Sequence, residues 1–168
     1  INKSLLGLIF LSSISFANYP VSPDSSLTQG STCTTPSEYR YKEKIPYCQR
    51  HVEPETKTYI IHMYDSQLGY RIGQMDRRLF KIDHYIPLCM GGSNEVNNLW
   101  PQHQNVYAHT DPLEGRLCEL MAIGYLRQRE AIQTMLQAKA NPTTSTSILN
   151  SLPNPKDPNH KRFFEHLY

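Results

Sequence analysis

The sequence carries little net charge: its 168 residues contain 17 Lys and Arg against 15 Asp and Glu. Residues 1–17 hold one lysine and no acid, so without them Lys and Arg number 16 against 15 acids, a net charge of about +1. The protein is therefore not a polycation, and if it binds nucleic acid, the binding must come from a local patch of basic residues. Internal repeats are absent from the sequence, and the length predicts one domain.

Cysteines are few, and no two of them form a C-x-x-C pair, which argues against a zinc site or a dithiol redox motif. The four are Cys33, Cys48, Cys89 and Cys118. In an exported protein an even number favours two disulfides, for which three pairings are possible. We expect Cys33 with Cys48 and Cys89 with Cys118, because each pair closes a short loop. Buried free thiols are the alternative if the protein is not exported.

Long apolar runs are also scarce. The run at the start of the sequence, in INKSLLGLIFLSSISFANYP, follows Lys3 and ends in the small-residue stretch Ser15-Phe16-Ala17. It is short for a membrane span, and polar residues follow it at once. Residues 1–17 are therefore predicted to be a signal peptide rather than a buried helix or an anchor. We expect an exported protein, periplasmic or secreted, that has no membrane association after cleavage.

Composition divides the rest of the chain into three parts. Residues 18–36 are rich in Ser, Thr and Pro and predict an extended lead-in. Residues 37–140 have the mixed apolar and polar pattern of a folded domain. Residues 141–168 return to Ser, Thr, Pro and Asn and predict a C-terminal linker with a short docking segment.

The middle of the domain predicts two strands joined by an irregular loop. LFKIDHYIPL is typical of a strand, and Gly91-Gly92 permits a sharp turn in the loop that follows. VNNLWPQ predicts a second short strand that Pro101 ends. The earlier segment TYIIHMYDSQLGYRIG is compatible with either a strand or a short helix.

Two helices are predicted after these strands, which makes the expected fold class α+β. Asp111 is a candidate N-cap, Pro112 suits a first helical turn, and apolar residues then recur at helical spacing. Gly124 separates this helix from a second one near residues 126–140.

Asp83 and His84 lie side by side near the end of the first predicted strand. Neighbours on a strand point to opposite faces, so both reach one site only if the strand ends or bulges there, and Ile86-Pro87 favours such a departure. A carboxylate suits Mg²⁺, and a neutral histidine can take a proton from water near neutral pH. Together they are the minimum equipment for hydrolysing a phosphodiester.

Four motifs follow one another around this pair. They are Asp83-His84-x-x-Pro87-Leu88, Gly91-Gly92-Ser93, Asn98-Leu99-Trp100-Pro101-Gln102 and Ala108-His109-Thr110-Asp111-x-Leu113-Glu114. Together they resemble the HNH endonucleases, most closely small exported bacterial members. The resemblance covers about residues 80–135. It implies a ββα-metal core with additional helices, and an endonuclease that cuts DNA, with RNA as a second candidate substrate.

The resemblance also implies roles for individual residues. His84 would be the general base and Asp83 a ligand of Mg²⁺, with Mn²⁺ as the alternative metal. Asn98 would tie the two strands together and hold the loop that carries the base. Trp100 is expected to pack in the core.

The third position of the HNH signature departs from the family pattern. Nine residues after Asn98 the chain has Tyr107, a poor ligand for Mg²⁺. A shortened loop would place Asn105 or His109 there instead, and residues four apart share one face of a helix. We expect Asn105 first and His109 second as the further metal ligand, with water in that position as the alternative.

Basic residues near the motifs are candidates for contact with phosphate. Arg116 could hold a phosphate bidentately, and Arg77, Arg78 and Lys81 could form the local patch that the net charge lacks. An exposed, solvated face is the alternative for all four. A second hypothesis for the whole chain is a secreted module that binds nucleic acid or protein on an HNH fold without catalysis. Nothing in the sequence bears on an inhibitor protein.

Overall fold

The computed structural model describes residues 18–163 as an α+β protein, in agreement with the predicted class. The predicted signal peptide, residues 1–17, lies outside the described residues. The elements are β1 (Glu38–Arg40), β2 (Ile45–Tyr47), α1 (Pro54–Leu68), β3 (Phe80–His84), β4 (Leu99–His103), α2 (Gln104–Ala122), α3 (Gln128–Ala140) and α4 (Ser145–Ser151). Within residues 18–163, none of the helices has the length and apolar character needed to cross a membrane.

The centre of the fold is an antiparallel ribbon of β3 and β4. Phe80 pairs with His103 and His84 with Leu99. Pro101 was expected to end the second strand, but it lies inside β4 opposite Ile82. The ribbon has only two strands, so each strand has an unpaired edge, and a residue without an N–H is tolerated there.

The loop between β3 and β4 turns sharply, as the two glycines predict. Gly91 has φ +85°, a left-handed conformation that favours glycine. At Gly92 the constraint is space, because a Cβ atom there would lie 1.8 Å from the Ile86 carbonyl oxygen. Glycine is therefore required at Gly92 by close backbone approach rather than by its φ angle.

Helix α2 begins earlier than the sequence suggests. His103 is its N-cap and accepts a hydrogen bond from the Asn105 N–H at 3.2 Å, and Pro112 lies within the helix rather than in its first turn. The prediction of a start at Asp111 was wrong because Pro112 resembled a first-turn proline. Helix α2 ends at Ala122, and Gly124, with φ +78°, lies between it and α3, which begins at Gln128, close to the predicted start.

The undecided segment before the ribbon is helical. It forms α1, which buries Ile60 and Tyr64 against Ile82 and Trp100 of the ribbon. Gly69 ends the helix in a left-handed C-cap with φ +75°. A second apolar cluster joins α2 to α3. The ribbon end that carries Asp83 meets both helices through Lys139 of α3, whose Nζ lies 2.9 Å from Asp83 Oδ2 and 3.3 Å from Glu114 Oε2 of α2.

Both predicted disulfides are confirmed, Cys33 with Cys48 and Cys89 with Cys118. They are compatible with an exported protein. The first of them lies where residues 18–36 join β1 and β2. These residues form no helix, yet they pack on the body of the domain: Leu27 is buried, and the Gly30 N–H donates to the Asn97 carbonyl at 2.8 Å.

Candidate functional site

Asp83 is a buried carboxylate that lies between two ammonium groups. Its side chain is 5% exposed, its Oδ2 lies 2.9 Å from Lys139 Nζ, and its Oδ1 lies 3.6 Å from Lys81 Nζ. Burial opposes ionisation, but the two lysines hold the pKa of the Asp83 carboxyl below its ordinary value. Lys81 also pairs with Asp111 at 2.6 Å. Asp83 is therefore an ionised group whose charge is already compensated by the protein.

His84 is buried next to Asp83, but its ring has a different partner. Nε2 lies 2.9 Å from Asn94 Oδ1, and Nδ1 is buried without a partner among the described residues. Burial lowers the pKa of His84 to about 4, so the ring is neutral at neutral pH. The regular pairing of β3 with β4 continues through His84, which lies opposite Leu99. The strand was expected to end or bulge at Asp83-His84, and the regular pairing stops only after His84.

The orientation of Asn94 decides which nitrogen of His84 carries the proton. The Gln49 carbonyl can only accept a hydrogen bond, and it lies 2.8 Å from Asn94 Nδ2. Asn94 Oδ1 therefore faces His84 Nε2, which must carry the hydrogen. In this tautomer the lone pair of His84 lies on Nδ1, so Nδ1 is the atom that could accept a proton.

Asn98 holds the loop that follows His84. Its Nδ2 donates to the carbonyls of Ile86 at 3.0 Å and Ser93 at 2.8 Å, and its Oδ1 accepts from the Ile86 N–H at 2.8 Å. The Ser31 N–H also approaches Oδ1 at 3.4 Å. Because Asn98 is fully buried, these bonds replace water entirely and fix the loop to β4 and to the N-terminal segment.

The three predicted metal ligands are not brought together. Asn105 lies beyond the Phe80 end of the ribbon, where its Nδ2 donates to the Tyr19 hydroxyl at 3.1 Å, whereas Asp83 lies opposite Trp100. His109 is exposed on α2. Among residues 18–163, no three His, Cys, Asp or Glu side chains form a group that could hold a metal ion.

These donors do not fit Mg²⁺ in this conformation, because the carboxylate of Asp83 already faces two ammonium groups. A cation of charge +2 beside them would be repelled by both. The requirement for Mg²⁺ or Mn²⁺ implied by the resemblance therefore stays a prediction.

The basic residues predicted to contact phosphate differ in their surroundings. Arg77 is exposed, and Arg78 is exposed with its guanidinium 2.7 Å from Asp76 Oδ2. Lys81 Nζ lies 2.6 Å from Asp111 Oδ1 and 3.6 Å from Asp83 Oδ1. Arg116 is half-buried and donates to the Pro153 carbonyl at 3.2 Å. Arg77 and Arg78 are thus the two of the four that face solvent.

Three residues near the site were missed in the sequence. Lys139 falls on the apolar face of α3 with Ala131 and Met135, at helical spacing, and a lysine in such a position signals a buried charge. Asn94 lies in a segment whose composition predicts a loop, and nothing in the sequence indicates that it contacts His84. Arg50 is exposed, and it follows Gln49, whose carbonyl accepts from Asn94 at 2.8 Å. Its positive charge contributes to the lowered pKa of His84.

Comparisons of this chain with protein-family models, with curated proteins and with solved structures found no match.

Proposed function

We propose that the protein hydrolyses phosphodiester bonds in DNA, with His84 Nδ1 as the general base. The observation that supports this proposal is the His84 tautomer, since a neutral ring with its proton on Nε2 leaves a lone pair on Nδ1. A water that reaches Nδ1 would lose a proton to it while its oxygen attacks phosphorus in line with the leaving oxygen. The bond from phosphorus to the leaving oxygen would break, and that oxygen would take a proton from solvent. RNA is a second candidate substrate, because this chemistry does not depend on the sugar.

The fold proposal that accompanies this function is the ββα core of an HNH domain. The strands β3 and β4 and helix α2 follow one another along the chain, and α2 packs on β4. Asn98 supports the proposal, because it binds the loop after His84 from both sides. The exposed Arg77, Arg78 and Arg50 are the candidates for holding the substrate phosphates.

Export is proposed together with this function. The two disulfides support an oxidising compartment, either the periplasm or the medium. Residues 1–17 would be the signal peptide, and N-terminal sequencing of the exported protein should then begin at Asn18.

A plasmid-nicking assay tests the enzyme. The oxidised protein is incubated with supercoiled DNA in Mg²⁺, in Mn²⁺ and in EDTA, beside His84→Ala and the control His62→Ala, which removes an exposed histidine of α1. We expect nicking by the native protein and by the control, and a loss of about 100-fold or more in His84→Ala. Undiminished nicking by His84→Ala would place the base elsewhere.

The alternative function is a secreted module that binds nucleic acid or protein without catalysis. The engagement of Asp83 by Lys139 favours it, because a carboxylate held in this way is not free to serve a reaction. If the native protein leaves supercoiled DNA intact in Mg²⁺, in Mn²⁺ and in EDTA, and leaves RNA intact when RNA replaces the plasmid, this alternative replaces the nuclease.

A further inference from the structure

Lys139 lies in the last turn of α3 with none of its side chain exposed. Its Nζ contacts three oxygen atoms, one from each of three residues. These are Asp83 Oδ2 at 2.9 Å, Glu114 Oε2 at 3.3 Å and the carbonyl oxygen of His84. An ammonium has three hydrogens to donate, so the three contacts saturate it.

The three oxygens come from separate parts of the chain. Asp83 and the His84 carbonyl belong to β3, Glu114 belongs to α2, and Lys139 reaches them from α3. Two carboxylates and a backbone carbonyl are the donor types that hard divalent cations take in proteins. The fold thus builds an oxygen-lined cation site, and its occupant is a side chain of the protein.

The ammonium remains charged in this position. Burial favours loss of the proton, but the carboxylates of Asp83 and Glu114 outweigh it and raise the pKa of Lys139. The negative end of the α3 dipole also stabilises the charged form of Lys139, since the lysine lies in the last turn of the helix. Lys81 brings a second ammonium to within 3.6 Å of Asp83.

We propose that the Lys139 ammonium is the resident cation of this site and takes the place that a divalent metal ion would occupy on Asp83 and Glu114. A metal ion could use these oxygens only by displacing a buried ammonium into solvent or by lying next to it. The native site therefore does not take Mg²⁺ or Mn²⁺. The inference goes beyond the proposed function and does not depend on it, because it concerns binding and not hydrolysis.

Manganese binding to the oxidised protein tests this proposal. Free Mn²⁺ is followed by electron paramagnetic resonance, and the melting temperature is measured with and without millimolar Mn²⁺. We expect no stoichiometric binding and no shift for the native protein. Lys139→Met keeps an unbranched side chain but frees both carboxylates, so it should bind Mn²⁺ and melt several degrees higher in its presence. Lys156→Met, which removes an exposed partner of Glu119, should behave like the native protein.

Two results would overturn the proposal. One is stoichiometric Mn²⁺ binding by the native protein that Asp83→Asn abolishes. The other is a folded Lys139→Met that binds no Mn²⁺, since the lysine would then not be what keeps the metal out. If Lys139→Met does not fold, the double variant with Asp83→Asn decides: recovery of a cooperative melting transition supports the pairing, and failure to recover it contradicts the pairing.

Discussion

At the scale of single residues, Asn98 stabilises the loop after His84 through buried hydrogen bonds. Asn98→Ala leaves the buried N–H and C=O of Ile86 and the carbonyl of Ser93 without their partner. We expect the free energy of unfolding to fall by about 2 to 4 kcal/mol, because unpaired buried polar groups are costly. Urea denaturation followed by circular dichroism measures it.

The matched control for this change is Asn97→Ala. Asn97 is the neighbour of Asn98 but is exposed, and its side chain accepts a bond from the Ser31 hydroxyl at 2.7 Å. We expect a loss below about 1 kcal/mol. Equal losses in the two variants would mean that the burial of Asn98 is not what makes it important.

Asn94 is expected to act through the His84 ring rather than on substrate. Asn94→Ala removes the acceptor of the Nε2 hydrogen and the link to the Gln49 carbonyl. The ring should then populate both tautomers, which the ¹⁵N chemical shifts of His84 report directly. If the protein is a nuclease, kcat should fall while KM stays nearly constant. A ring that keeps its proton on Nε2 in the variant would show that Asn94 does not set the tautomer.

The sequence identified Asp83, His84 and Asn98 as site residues but missed Lys139. Asp83, His84 and Asn98 lie in recognisable motifs, and the structure buries all three. Lys139 is 56 residues from Asp83 along the chain, so no local pattern joins them. Its position on the apolar face of α3 was the available signal, but it does not name a partner.

At the scale of elements, the loop between β3 and β4 depends on Gly92. Gly92→Ala would place a Cβ atom 1.8 Å from the Ile86 carbonyl oxygen, which is backbone and cannot move away cheaply. We expect a loss of more than about 4 kcal/mol, or failure to fold. Soluble yield and urea denaturation measure the effect.

Gly115→Ala is the control for that substitution. Gly115 lies within α2, and a Cβ atom there would have no neighbour within 4 Å. Alanine in a helix interior is favoured over glycine, so this variant should gain about 0.5 to 1 kcal/mol. A Gly92→Ala variant as stable as Gly115→Ala would contradict the close approach seen in the loop.

Two elements whose bounds the sequence predicted wrongly, β4 and α2, contain proline. Strand β4 continues through Pro101 because the two-stranded ribbon leaves an unpaired edge. Helix α2 contains Pro112 because packing of the helix on its neighbours outweighs one missing hydrogen bond. Local rules place a proline at the end of an element, and tertiary contacts decide whether the element stops there.

At the scale of the whole molecule, stability should depend on the pH through His84. The pKa of His84 is about 4 in the folded protein against an ordinary value of about 6.5, so between these pH values the unfolded chain binds a proton that the folded chain does not. The free energy of unfolding should therefore fall as the pH drops from 6.5 towards 4, by up to about 3 kcal/mol, and should not change from this group above that range.

Urea denaturation of the native protein and of His84→Gln at about pH 7 and about pH 4.5 measures this effect. The two proteins share every other ionisable group, so the difference between the two pH dependences isolates His84. Parallel dependences would mean that the buried ring is protonated without cost.

The disulfide pairing was predictable because each bond closes a short loop, and the α+β class followed from the order of strands and helices. The packing of residues 18–36 on the body of the domain was not predictable. Its contacts combine backbone hydrogen bonds, such as that from Gly30 to Asn97, with side-chain bonds, such as that from the Thr28 hydroxyl to the Leu99 carbonyl at 3.1 Å. These two partners lie more than 60 residues away along the chain, so no local sequence pattern indicates them.

Gly92 also limits how this sequence can drift during evolution. Any side chain at that position meets the Ile86 carbonyl oxygen, so a descendant that keeps the loop must keep the glycine, whatever becomes of its activity. Lys139 and Asp83 can change during evolution, but they are expected to change together, because a substitution that removes one charge leaves the other buried without its partner. Among distant relatives, an invariant glycine with a lysine and an aspartate that change together would identify this fold.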